Sequence, residues 1–250
     1  MAQLQQWQCS DDQLAQLVRR LDLAPVLMRR HIEEEIAALV ALPEAWSDER
    51  LQAFCEQHQL QEASALEGWL HSKGWQHDDL RADLIRQEAL QRFAQDRFGP
   101  GLEDLFLQRK DQLDSLVYSL LRVRDPGLAR ELWIQISEGE ISFSQAASHY
   151  GEGPEARHAG LIGPVVAGAL HPPELVSWLR RLRPGEVHQP QRLGEWTLLL
   201  QLEQITPAVL DSAMAERLIH EQLEGWLNDR SRRLLSGESV EPLTYHPNHD

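Results

Sequence analysis

Apolar residues recur at spacings of three and four along the first 112 positions, as in Leu14, Leu17, Val18 and Leu21, and again in Ile32, Ile36, Leu39 and Val40. That period puts them on one stripe of a helix. Ser47 followed by Asp48 and Glu49 predicts a helix start, because a hydroxyl caps free N–H groups and acids suit the positive end of the dipole. Gly74 predicts a stop. A third pattern runs from about Asp78 to Phe98 and ends at Gly99-Pro100-Gly101; a short helix from Leu102 to about Leu113 follows. Nothing here alternates as a strand does, so the region is predicted to be all-helical.

Near Leu116 the texture changes. Val-Tyr-Ser-Leu-Leu-Arg-Val (117–123) is β-branched, aromatic and too short for a helix, and reads as a strand. Asp125-Pro126 starts a helix that ends at Gly139, and Ser142 caps another from Phe143 to about His149. A Gly/Pro-rich loop spans Gly151 to Gly168. A helix over Pro172 to Leu182, a turn at Pro184-Gly185, a short strand at Val187 to Gln189 and a strong strand at 196–205 complete the unit. From Pro207 to about Leu235 an amphipathic helix returns, with Leu210, Met214, Leu218, Leu223 and Leu227 near one face. Packing on the first helices would bury that face. The fold class is therefore α+β: residues 113–207 form a small antiparallel-type sheet with flanking helices, inserted in an all-helical domain built from 1–112 and 208–235. The polar stretch 236–250 is expected to be a mobile tail.

Composition narrows the function. The chain has 250 residues and a formal charge of -15, split as 12 basic against 20 acidic residues over 1–112, 8 against 11 over 113–207, and 4 against 8 over 208–250. No segment is basic, which disfavours nucleic acid as a partner. The polar N-terminus lacks an export-signal pattern and no 18-residue apolar run exists, so the expectation is a cytoplasmic chain without a membrane span. Cys9 and Cys55 supply no disulfide framework and read as packing residues. His71 and His77, and His246, His249 and Asp250, lack metal-ligand spacing, so neither metal nor cofactor is expected. The Glu33-Glu34-Glu35 run reads as a solvated helix face.

The residues Gly139, Phe143, Ala147 and Tyr150, then Gly153-Pro154 and Gly160-x-x-Gly163, then Leu-Arg-Pro-Gly-Glu-Val (182–187) and Gly-Glu-Trp-Thr-Leu-Leu-Leu-Gln-Leu-Glu (194–203), stand in the order and spacing of a parvulin-type peptidyl-prolyl isomerase. The resemblance covers about residues 113–207. With helical segments on both sides, the layout is similar to SurA-like and PrsA-like chaperone–isomerases, and it implies binding of unfolded or nascent, proline-containing polypeptides. Carried over, the family's strand histidines fall on Ser119 and Thr197, and its loop Cys or Asp falls on Gly153. Its apolar proline pocket falls on Leu170 and Leu175, with Trp196 beside it. The resemblance thus implies an isomerase whose catalytic set is Ser119, Gly153 and Thr197, with substrate held by Leu170, Leu175 and Trp196 and catalysis reduced by the replacements. Two alternatives stay open: Ser119 and Thr197 as plain strand residues with Leu170 and Leu175 as core, and a non-catalytic chaperone or adaptor that uses the scaffold only as a peptide-binding surface.

Overall fold

The computed structural model describes residues 10–245 and 247. Trp7, Cys9, His246, His249 and Asp250 lie outside the described residues. In chain order the elements are α1 (Asp11–Arg20), α2 (Ala24–Val40), α3 (Glu44–Gln57), α4 (Ala63–Lys73), α5 (His77–Phe98), α6 (Leu102–Leu113), β1 (Ser115–Val123), α7 (Pro126–Ser137), α8 (Phe143–Tyr150), β2 (Leu161–Val166), α9 (Glu174–Leu179), β3 (Gln191–Leu193), β4 (Trp196–Thr206) and α10 (Ser212–Leu235). Contacts divide the chain into two compact units, 1–102 with 212–250, and 103–211. The helix α6 is thus grouped with the sheet, ten residues ahead of the boundary suggested by hydrophobic periodicity. None of the helices is long and apolar enough to cross a membrane, among the described residues.

In the helical unit, Ile32, Ile36 and Val40 of α2 pack with Ala89, Phe93 and Ala94 of α5 and with Ile219, Leu223 and Leu227 of α10. A second cluster joins α3, α4 and α5 through Leu66, Leu70, Leu80 and Leu84, with Trp69 and Trp75 against it. Glu33 departs from the solvated face expected of its acidic run. It is buried, its Oε1 accepts from Arg29 Nε at 2.8 Å, and its Oε2 lies 3.2 Å from Arg30 and 3.6 Å from Arg86. Arg29 also grips Glu224 of α10 with both terminal nitrogens, at 2.8 and 2.6 Å, and this holds the Glu224 carboxyl below its ordinary value. A buried acid among three arginines is satisfied where a lone one would be costly.

The segment after α10 also departs from expectation. Leu243 and Tyr245 pack against the helical core rather than trailing from it, and the Tyr245 hydroxyl donates to Asp96 at 2.7 Å. Two apolar side chains in an otherwise polar stretch were enough to anchor it.

The sheet unit orders its strands β2-β1-β4-β3, all antiparallel. Asp125 accepts from the Gly127 N–H at 2.8 Å and Ser142 forms a reciprocal cap with Gln145, so α7 and α8 begin where those side chains stop free N–H groups. The Gly/Pro-rich loop turns out to contain the edge strand β2, through Gly163-Pro164. Proline is tolerated there because an edge strand has unpaired N–H positions. The strand expected at Val187–Gln189 reduces to a single bridge, Val187 to Gln201, and β3 forms two residues later. Asp114 closes the unit: its Oδ1 accepts from the Ala208 N–H at 2.9 Å and its Oδ2 from Arg180 at 2.7 Å. Lys110 donates to the Ala208 carbonyl at 2.9 Å. Burial works to raise the Asp114 carboxyl, but the Ala208 N–H, Arg180 and Lys110 outweigh it and hold it below its ordinary value.

Candidate functional site

Side chains of a strand alternate between faces, so the register decides which residues can meet. On one face Leu116, Tyr118 and Leu120 of β1 and Leu198, Leu200 and Leu202 of β4 pack with Leu170, Leu175 and Leu179. On the other, Leu121, Val123 and Leu199 pack with Ala129 and Leu132 of α7 and Phe143, Ala146 and Ala147 of α8. Ser119 and Thr197 belong to the second set by parity. Ser119 sits opposite Gln201, and Thr197 sits opposite Val123, so the two are four ladder steps apart, about 13 Å. Both are 5% exposed, and the Ser119 hydroxyl donates to Glu203 at 2.6 Å. They do not pair with each other and do not face Leu170 and Leu175. The expected catalytic set is thus split across the sheet.

Leu170 and Leu175 do converge, at 8% and 6% exposure, within a core that Leu120 and Leu198 fill from below. The expected proline pocket is occupied by its own side chains. Gly153 and Trp196 lie on this same side. A Cβ at Gly153 would overlap the Glu155 carboxylate and Arg122 Nε, so glycine is there to admit that pair. Arg122 Nε donates to Glu155 Oε1 at 2.7 Å. Glu155 is 7% exposed, and its Oε2 is buried without a hydrogen-bond partner among the described residues. A buried acceptor left open is costly. Only Nε of Arg122 is engaged by a side chain there, while the side chain as a whole is part-exposed. Burial pushes the Tyr118 hydroxyl above its ordinary value, with the Glu155 charge adding to the shift and Arg122 opposing it. Trp196 is half-buried beneath the Arg124 guanidinium, 4.5 Å from its ring centre, and Arg124 is paired with Glu152 at 3.0 Å.

On this face the structure therefore groups Arg122, Gly153 and Glu155 beside the buried Tyr118, with Trp196 under Arg124. The sequence points to Gly153 and Trp196 and gives no signal for Tyr118, Arg122 or Glu155. Both faces of β1 are apolar, so parity could not be read from the pattern, and the Arg122–Glu155 pair spans 33 positions with no local motif.

A groove of about 670 Å³ opens on the opposite face of the sheet, lined by Trp133, Ile136, Ile141, Phe143, Val187 and Gln201. The Trp133 indole N–H is buried there without a partner among the described residues. Among these residues no cluster of three or more His, Cys, Asp or Glu could hold a metal ion.

A parvulin-type sheet set between helical segments is the fold class these elements define. No family model matches the chain, and no curated protein does. Among solved structures it is similar to the peptidylprolyl isomerase PrsA of Bacillus cereus, at 15% identity and a TM-score of 0.50, covering 94% of this chain and 90% of that one. The chain therefore has the PrsA fold. PrsA of Bacillus anthracis matches at 14% identity and a TM-score of 0.47, over 87% of this chain and 100% of that one. A chain of the SurA-like chaperones of Campylobacter jejuni matches at 15% identity and 0.38, over 81% and 88%.

Proposed function

We propose that the protein is a chaperone of the prolyl-isomerase fold that binds unfolded, proline-containing polypeptide segments and accelerates their cis/trans isomerisation weakly. The PrsA fold across nearly the whole chain carries this reading. Isomerisation needs no covalent intermediate, metal or cofactor, because the barrier of about 18–20 kcal/mol is amide resonance. Twisting the amide returns the lone pair to the proline nitrogen, where a positioned N–H donor stabilises the twisted form more than either planar one. Arg122 is the donor best suited to this role: Glu155 holds its Nε and its terminal nitrogens carry no side-chain partner among the described residues. Trp196, half-buried under Arg124 on the same face of the sheet, offers an apolar contact for the substrate.

A second reading, a non-catalytic peptide-binding adaptor, is favoured by the burial of Leu170 and Leu175 and by the groove with its open Trp133 N–H. Exchange spectroscopy on an Ala-Pro peptide separates the two. The isomerase reading expects a gain in exchange rate that Arg122→Gln removes while suppression of rhodanese aggregation survives. Aggregation suppressed with no rate gain selects the adaptor, and absence of both activities rejects the proposal.

A further inference from the structure

After α10, residues 238–245 run without helix or strand along the helical unit. The carbonyls of Ser239 and Glu241 accept from Arg233 at 3.2 Å and Arg230 at 2.9 Å. Leu243 and Tyr245 insert against the core, with the Tyr245 ring 6.4 Å from Phe93 and its hydroxyl on Asp96. Ser239, Glu241, Pro242 and Thr244 are exposed. The unit thus reads a backbone with two arginines and side chains with two anchors two residues apart. That is how a surface holds an extended polypeptide of variable sequence.

Charge and fit sharpen the picture. The unit carries 24 acidic residues against 14 basic ones, yet Arg97 and Arg230 lie 5.2 and 5.6 Å from the Trp226 ring centre beside the strap, and Arg233 pairs with Glu238 of the strap at 3.2 Å. An acid at the start of the strap is therefore matched here by Arg233, within a unit whose net charge is negative. The strap also leaves something unused: Arg230 Nε is buried without a hydrogen-bond partner among the described residues. Two anchors and a few exposed hydrogen bonds make a segment that opens locally at low free-energy cost.

We propose that this groove is a binding site for extended acidic segments of other polypeptides that carry an aliphatic and an aromatic residue two positions apart, and that residues 238–245 are its intramolecular competitor. The inference extends the peptide-binding reading to the helical unit and rests on that reading only for the nature of the occupants.

The probe is a labelled peptide with the sequence of residues 237–245, titrated into three proteins: the intact chain, a chain ending at Gly237, and the full chain with Leu243→Ser and Tyr245→Ala. Both altered proteins should bind it saturably, and the intact chain about tenfold or more weakly, since a short tether supplies a millimolar local competitor. Replacing the peptide's tyrosine by alanine, or Asp96→Asn in the shortened chain, should weaken binding. The idea is overturned if either altered protein, folded by circular dichroism, binds no better than the intact chain, or if a scrambled peptide binds as well. Should the shortened chain not fold, the doubly substituted full chain carries the test. Peptide binding kept while rhodanese aggregation goes unsuppressed would sink the chaperone reading and leave this groove standing.

Discussion

Two surfaces of this molecule are filled by the chain itself, in different ways. On the sheet, the place expected to take a proline ring is occupied by Leu120, Leu170, Leu175 and Leu198, all core residues. On the helical unit, the groove beside Phe93 and Trp226 is occupied by a strap with two apolar anchors. Core side chains leave only with the loss of packing, whereas the strap rests on two part-buried anchors, Leu243 and Tyr245. The difference is between a surface filled by the core of the fold and one filled by a segment after its last helix.

The sharpest way to break that comparison is Leu175→Ala. A core leucine should cost about 2–4 kcal/mol on truncation, read as a lower urea midpoint; a much smaller loss would mean the pocket is open after all. Next in size is Asp114→Asn, which should cost about 1–3 kcal/mol by leaving the Ala208 N–H and Arg180 poorly matched. Because the Asp114 carboxyl lies below its ordinary value in the folded protein, its contribution is present above about pH 4 and is lost as the pH falls through the lower folded value. Urea midpoints of wild type and Asp114→Asn should therefore converge in acid. Tyr245→Phe should cost about 1 kcal/mol or less through the lost bond to Asp96, with a small drop in thermal midpoint. The smallest effect belongs to Ser119→Ala and Thr197→Val, which should leave the isomerisation rate unchanged because both side chains face α7 and α8; loss of rate in either would restore them to the site.

Much of the architecture could be read from local chemistry. Asp125-Pro126 and Ser142 announce helix starts because a cap acts within three residues. The strands around Leu120 and Leu200 are legible as apolar runs, but a run buried on both faces does not say which face each residue takes. A one-residue difference in register decides which face Ser119 and Thr197 take. The edge strand β2 was hidden by Gly163-Pro164, whose composition speaks for a loop and whose pairing depends on β1, over 40 residues earlier. The burial of Glu33 is hidden for a similar reason: besides its neighbours Arg29 and Arg30 it meets Arg86, from a helix 53 positions on.

The Asp114 clasp holds the two ends of the sheet unit side by side, so that unit can close on itself as soon as its own residues exist. The helical unit cannot. Its core needs Ile219, Leu223 and Leu227 of α10, and the chain between Leu102 and Ser212 must be made first. At about 5–20 residues per second the delay is roughly 5–20 seconds, during which Ile32, Ile36 and Phe93 have no α10 to cover them. For that interval the apolar stripes of α2 and α5 stand uncovered on the growing chain.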